Sequence, residues 1–318
     1  MPTLDNIVYT LQHESRLYLK DKTKKCYKTP VNIFNDLISQ NLKSLKLTFS
    51  YLWITPENLQ NLSSSLSKAE NLEKVHFQFM NCHTKTEPND FAFLGKALAD
   101  LSKLAEFNLE LSDPLPAKGG FGDMCRHLQT QNHLLVFEIS FVCSAISPDI
   151  SLLSSFLATQ GQLQRLVMKY NYLTEVKSLI TPNSFLKLVE GIQKLERLEA
   201  LSFMGGDFRN NDEDYEVIKP LLENKECLRS LCLRMEGEYL KDDDLAYLFA
   251  FMKNSKVLRE VSLGADFSSM SSIVINKMIF IMKNMILPRF TLFPTKKAHE
   301  FKLYQASEEI RQRNGLLF

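Results

Sequence analysis

Leu163 to Leu173 reads LQRLVMKYNYL: a leucine, two variable residues, apolar residues at the fourth and sixth places, Asn171 at the ninth and a closing leucine. Apolar and variable residues alternate through the middle of this stretch, which is the period of a half-buried strand. The same opening, Leu-x-x-φ-x-φ with φ a large apolar residue, recurs at nine places. It begins at Leu42, Leu72, Leu104, Leu134, Leu163, Leu198, Leu228, Leu258 and Leu287, at intervals of 30, 32, 30, 29, 35, 30, 30 and 29 residues. The fourth-position residues are Leu45, Val75, Phe107, Phe137, Leu166, Leu201, Leu231, Val261 and Phe290; the sixth are Leu47, Phe77, Leu109, Ile139, Met168, Phe203, Leu233, Leu263 and Leu292. Nine agreeing units at one period predict a repeat architecture with one strand per unit.

Helical patterns fill the intervals, and several have legible starts. Thr29-Pro30, Thr55-Pro56, Ser147-Pro148 and Thr181-Pro182 each precede apolar residues at helical spacing. A hydroxyl accepts from a free N–H of the first turn, and proline in that turn gives up an N–H that has no intrahelical partner. Other helices are expected to open on Asn89-Asp90, Asp212 to Asp214, Asp242 to Asp244 and Ser271-Ser272, groups that suit the positive end of a helix dipole.

A strand and a helix every 29 to 30 residues resemble the leucine-rich repeat family, and its ribonuclease-inhibitor-like subclass in particular. The resemblance covers residues 42 to 295 at least, and it is divergent. The family's ninth-position Asn or Cys is met at Asn171, but the other units carry Ser50, Met80, Ser112, Val142, Gly206, Glu236, Asp266 and Thr295 there. What the resemblance implies is an α/β solenoid, a horseshoe with parallel strands on the concave face and helices on the convex face. Strand spacing of about 4.8 Å against helix spacing of about 8–10 Å requires that curvature.

One continuous domain is expected: an amino-terminal capping unit over residues 1–41, nine repeats over 42–295, and a capping helix with tail over 296–318. In the first unit Leu17 and Leu19 fit the fourth and sixth positions of a tenth strand, with Glu14 in place of the opening leucine. Lys296 to Arg313 reads as the closing helix, stopped by Asn314-Gly315, and Leu316-Leu317-Phe318 as an apolar tail folded back or anchored in a partner.

The 318 residues hold 38 Lys plus Arg against 37 Asp plus Glu, with 45% apolar residues, so a folded, nearly neutral chain with a sizeable core is expected. No stretch approaches the roughly 18 apolar residues of a membrane span, and Met1 to Thr10 lacks a signal-peptide pattern. Six cysteines without a CxxC pair suggest reduced thiols and a cytoplasmic, reducing compartment.

Third, fifth and seventh positions of each unit point outward along the strands. Their charges form bands. The first two repeats are basic (Lys46, Lys74, His76), the third and fourth acidic (Glu106, Glu110, Glu138), and the fifth basic (Arg165, Lys169); beyond lie nearly neutral strands with Arg234 and Phe293. A protein with a matching charge pattern is the expected partner, since complementarity supplies specificity and on-rate. Nucleic acid is not expected, because the glutamates repel phosphates. Two irregular connections, Tyr172 to Ile180 and Ser112 to Gly122, are further candidate contacts.

No catalytic, metal or cofactor constellation is legible. Lys118 to Gly122 lacks the ending of a phosphate loop and reads as a turn, and Asp207 to Glu216 lacks calcium-loop spacing. Six histidines show no ligand spacing, and Lys20, Lys22, Lys24, Lys25 and Lys28 read as a solvated turn. The chain is therefore expected to be a non-enzymatic interaction scaffold or a subunit of a larger complex. The resemblance implies two alternatives, an activator of a small GTPase and a substrate receptor of a ubiquitin ligase. For the first no residue matches a motif, and for the second residues 1 to 40 look like a cap instead of an adaptor-binding box.

Overall fold

A computed structural model of the chain describes residues 6–12, 42–50, 53–80, 82–84, 90–112, 120–142, 150–171, 182–205, 218–239, 242–266, 276, 280 and 289–294. Ten strands form one parallel sheet: β1 (Asn6–Gln12), β2 (Ser44–Ser50), β4 (Lys74–Met80), β6 (Glu106–Ser112), β7 (Val136–Val142), β8 (Arg165–Asn171), β9 (Ala200–Met204), β10 (Ser230–Tyr239), β11 (Glu260–Asp266) and β12 (Arg289–Pro294). They lie side by side in chain order. A small second sheet pairs β3 (Trp53–Ile54) with β5 (His83–Thr84). Seven helices among the described residues run between the strands: α1 (Pro56–Leu66), α2 (Asp90–Ala99), α3 (Gly120–Leu128), α4 (Ile150–Thr159), α5 (Pro182–Gln193), α6 (Ile218–Leu222) and α7 (Asp242–Asn254). This is an α/β leucine-rich-repeat solenoid.

All nine strands of the repeat pattern lie where the leucines place them, and their register follows the pattern position by position. Leu45 lies beside Val75, Val75 beside Phe107, Phe107 beside Phe137, and so on to Phe290. A recurring backbone bond sets that register before the strands begin. The carbonyl of Lys43 accepts from the N–H groups of both Glu73 and Lys74 at 2.8 and 3.0 Å; Glu73, Ala105, Leu135, Gln164, Glu199 and Arg229 repeat the arrangement with the next unit. With every strand held in phase, the side-chain period of two sends one apolar set inward along the whole sheet.

The tenth strand differs from the expectation. The place beside β2 is taken by Asn6–Gln12, with Ile7 opposite Leu45 and Tyr9 opposite Leu47. The sequence around it, Leu4-x-x-Ile7-x-Tyr9, is the repeat opening with tyrosine at the sixth place, 38 residues ahead of Leu42. Leu17 and Leu19 lie outside the described residues, as do the Thr29-Pro30 and Ser271-Ser272 helix starts, the closing helix and the tail.

Inside, the opening leucines and the fourth and sixth positions of the first eight repeats are all buried. A further row joins them at the eighth position: Phe49, Phe79, Leu111, Phe141 and Tyr170. Phe49 stacks on Phe79 with ring centroids 4.8 Å apart, and Phe141 on Tyr170 at 5.1 Å. These rings occupy the strand end next to the ninth position, where the family's asparagine is mostly missing. Each buried aromatic contributes transfer free energy and ring–ring contact.

The polar tie between turns sits at the other end of the unit, three residues before the opening leucine. Gln131 donates from Nε2 to the carbonyls of Leu98 and Leu101, both at 2.8 Å, and Gln160 donates to the carbonyl of Gln131 at 2.6 Å. In the seventh unit the same place holds Lys225, 1% exposed, whose Nζ donates to the carbonyl of Gln193 at 3.1 Å. Such bonds satisfy backbone carbonyls left over at helix C-termini.

Helix starts follow the sequence where it is described. Thr55 and Asn58 form a reciprocal capping box ahead of α1, and α2, α5 and α7 begin at Asp90, Pro182 and Asp242. The expected turn at Gly120 and Gly122 is instead the first turn of α3. Burial of Phe121, Met124, Cys125 and Leu128 on one face outweighs the poor helix propensity of two glycines. Gly95 of α2 permits close helix packing, because a Cβ there would stand 2.7 Å from the backbone of Met124.

Candidate functional site

The register turns the outward positions into three rows that cross the sheet. From β2 to β11 the third-position row reads Ser44, Lys74, Glu106, Val136, Arg165, Ala200, Ser230, Glu260; the fifth reads Lys46, His76, Asn108, Glu138, Val167, Ser202, Cys232, Ser262; the seventh reads Thr48, Gln78, Glu110, Ser140, Lys169, Met204, Arg234, Gly264. Parallel neighbours about 4.8 Å apart make each row a continuous surface. Phe293 holds the seventh position of β12.

Charges that look like separate bands in the sequence engage one another across the strands. Lys74 pairs with Glu106 at 2.5 Å and Arg165 with Glu138 at 2.9 Å. Thr48 donates to Gln78 at 3.1 Å, and Gln78 donates onward to Glu110 at 3.0 Å. The amino-terminal part of the face is thus a cross-braced polar surface, with each opposite-charge pair at a band edge. His76, half-buried, is held below the ordinary imidazole pKa first by burial and then by Lys46, while Glu110 and Glu138 act in the opposite sense. It is neutral at pH 7 and adds no charge to the basic band.

Beyond β8 the face changes character. Ala200, Ser202, Ser230, Cys232 and Ser262 are all small, and they floor a trough of about 350 Å³ edged by Arg165, Met204, Arg234 and Glu260. Burial pushes the Cys232 thiol up, so it is a neutral floor group with no nucleophilic character at pH 7. Glu260 accepts from the Ser230 hydroxyl at 3.3 Å. Of the ten site residues expected from sequence, the structure joins Lys74 to Glu106 and Glu138 to Arg165, sets His76 among Lys46, Glu110 and Glu138, and puts Arg165 and Arg234 at the trough, with Lys169 opposite Met204 in the seventh row. The trough was legible as a run of small residues at outward positions of the sixth to eighth units.

The candidate rim connections, Tyr172 to Ile180 and most of Ser112 to Gly122, lie outside the described residues, as do the lysine run and Asp207 to Glu216. Among the described residues no three His, Cys, Asp or Glu side chains are placed to hold a metal ion, and no helix is long and apolar enough to cross a membrane. Cys82 and Cys125 are buried thiols, and Cys82 donates to the carbonyl of Phe49 at 3.3 Å.

No family model and no curated protein matches the chain. Among solved structures it is similar to internalin C2 of Listeria monocytogenes, at 14% identity over 76% of this chain and 84% of that one, with a TM-score of 0.27. It is also similar to TLR13 in its complex with ssRNA13, at 13% identity over 70% of this chain and 42% of that one, with a TM-score of 0.21. Superpositions this loose carry no weight for fold or function, and the solenoid stands on its own register and repeat.

Proposed function

We propose that the chain is a non-enzymatic protein-interaction scaffold, or a structural subunit of a larger assembly, that binds through its sheet face and the adjoining rim loops. One observation carries this reading: ten strands in a single parallel sheet align their outward positions into uninterrupted rows of varied side chains. Such a surface is long, preorganised and chemically patterned, which is what recognition of another protein requires. The 29- to 30-residue period favours the ribonuclease-inhibitor-like subclass. Six scattered cysteines suit a cytoplasmic, reducing setting.

Purification of the chain with its bound partner, followed by cross-linking mass spectrometry, tests the reading. Cross-links are expected on the strand side, at Lys46, Lys74 and Lys169. The charge-reversing pair Glu106→Lys and Glu110→Lys should weaken the complex about tenfold or more, while the loss of exposed contacts to Lys74 and Gln78 costs the fold no more than about 1 kcal/mol each. Cross-links confined to the helices would place the interface on the convex side.

A further inference from the structure

Three carboxylates stand on the sheet face between β6 and β7, and one of them lacks a cation. Glu106 is engaged by Lys74 and Glu138 by Arg165, whereas Glu110 has no ion-pair partner among the described residues. We infer that Glu110 and Asn108 form the docking point for an arginine side chain of the partner, and that His76 releases that side chain on acidification. The inference rests on the reading of the sheet face as the binding surface, and it adds which group the partner presents there and what controls the contact.

The carboxylate is oriented before any partner arrives. Thr48, 8% exposed, donates to Gln78, and Gln78 donates to Oε2 of Glu110 at 3.0 Å. Each bond polarises the next, so the chain runs from a buried hydroxyl to a fixed acceptor. It engages one carboxylate oxygen, and Oε1 has no hydrogen-bond partner among the described residues. Two residues earlier on β6, Asn108 occupies the same face, and its Oδ1 is shielded from solvent with no donor among the described residues. A shielded acceptor without a donor costs stability, which a donor from the partner restores. The two positions lie about 6.6 Å apart along the strand. Arginine suits this pair better than lysine, because its planar fork of five donors reaches two acceptors at once, whereas an ammonium is a compact point charge.

His76 lies beside Asn108 in the fifth row, one strand over from Glu110. The charged groups that surround it are Lys46 on β2, Lys74 on its own strand, Glu106 and Glu110 on β6, and Glu138 on β7 with its partner Arg165 on β8. Lys74 offsets Glu106 and Arg165 offsets Glu138, which leaves Lys46 and Glu110 as the uncompensated charges next to the imidazole. Burial first, and Lys46 second, hold His76 below its ordinary pKa of 6.5, so at pH 7 it is neutral and Glu110 is open. Once protonated it is a cation beside both acceptors: it competes for Glu110 and repels a guanidinium. By linkage, bound arginine lowers the His76 pKa further, and binding weakens as pH falls through that pKa.

The test uses the full chain with ring-labelled histidine, the NMR signal lost in His76→Gln identifying His76. Titration with N-acetylarginine amide at about pH 7.5 should move that signal saturably, with half-effect at tens of millimolar, as one or two exposed contacts allow. The half-effect concentration should rise about threefold at pH 5.5, and about fivefold at pH 7.5 in Glu110→Gln, which still accepts from Gln78. N-acetyllysine amide should bind more weakly than the arginine probe. Absence of a saturable shift, equal titration of Glu110→Gln and wild type, equal affinity at both pH values, or equal affinity for the lysine probe overturns the inference. The complex with the partner recovered by purification should weaken on acidification in the wild-type chain and hold in His76→Gln. Full binding of that partner by Glu110→Gln, with loss in the double variant Glu106→Lys and Glu110→Lys, would overturn the arginine contact and keep the sheet-face reading. Full binding by the double variant as well would overturn both.

Discussion

The repeats from β2 to β8 and those from β9 to β11 share one backbone plan and are held together by different means. In the first group the eighth position carries Phe49, Phe79, Leu111, Phe141 and Tyr170, a buried row that stacks along the solenoid axis. In the second it begins with Gly205, buried, at φ of 85°, its N–H donating to the carbonyl of Arg234 at 2.6 Å. The turn ties differ in parallel: neutral amides at Gln131 and Gln160, a buried ammonium at Lys225. So does the face, cross-braced by charge in the first group and open over small residues in the second. Side chains there supply rigidity early in the chain, and backbone geometry with a buried charge supplies it later, leaving space outside.

Truncating the aromatic row is the most damaging way to test that contrast. Phe79 is fully buried and touches Phe49, Phe77 and Phe91, so Phe79→Ala should cost about 4 kcal/mol, read as a shift in the urea midpoint. At the same row in the second group the sensitivity inverts, and added bulk is what harms. A Cβ at Gly205 would overlap the Tyr170 carbonyl oxygen, and positive φ disfavours any side chain, so Gly205→Ala should cost about 3 kcal/mol by the same measurement. A neutral Gly205→Ala variant would mean that β9 can shift relative to β8, and the backbone account of the later repeats would fail.

The turn ties come next in size and separate the two groups by pH. Gln160→Leu leaves the Gln131 carbonyl without its donor but also removes an amide oxygen that has no partner among the described residues, so a net loss of about 1 kcal/mol is expected. Lys225 is another matter. Burial lowers its pKa from 10.5 to about 8, against the pull of Glu196 and Glu223. Between about pH 8 and 10.5 the unfolded chain holds a proton that the native chain has released. Stability therefore rises with pH in that window, by at most about 1.4 kcal/mol per unit. Relative to Lys225→Gln, the wild-type chain should gain stability from pH 8 to 10 in urea titrations, whereas Gln131→Leu and Gln160→Leu should show no such difference from wild type. A flat difference for Lys225 would mean that its ammonium is solvated in the native state.

Most of the framework was readable because the strand pattern is local and redundant. Nine openings with Leu, a fourth and a sixth apolar residue fix the phase of nine strands, and the phase alone determines which residues face inward and which neighbours meet across the sheet. β1 escaped because tyrosine at its sixth place is not among the aliphatic and phenylalanine residues that define the pattern, and because 38 residues separate it from the next unit. The start of α3 escaped because two glycines outvote a helix in propensity, whereas four buried side chains decide it in the folded chain. Gln131, Gln160 and Lys225 share one phase, three places ahead of their leucines, but Ala69, Leu101 and Leu195 hold that phase elsewhere, so polarity there carried no visible rule. For the face, signs were legible and pairings were not. Lys74 and Glu106 are neighbours at the third position, which the alignment places side by side, while Glu138 reaches Arg165 diagonally, which depends on rotamers.

The smallest effect bears on whether cross-bracing of the early face is structural or serves recognition. Lys74 and Glu106 are both partly exposed, and an ion pair in that setting is worth about 0.2–1 kcal/mol after screening and side-chain entropy. A double-mutant cycle with Lys74→Ala and Glu106→Ala should therefore return a coupling in that range, falling toward zero as salt is raised. Because so little stability depends on the pair, its partners are free to exchange with charges on a bound protein. If the cycle returned about 2 kcal/mol or more, undiminished by salt, the early face would be a rigid brace, and the division between a braced half and an open half would apply to binding as well as to packing.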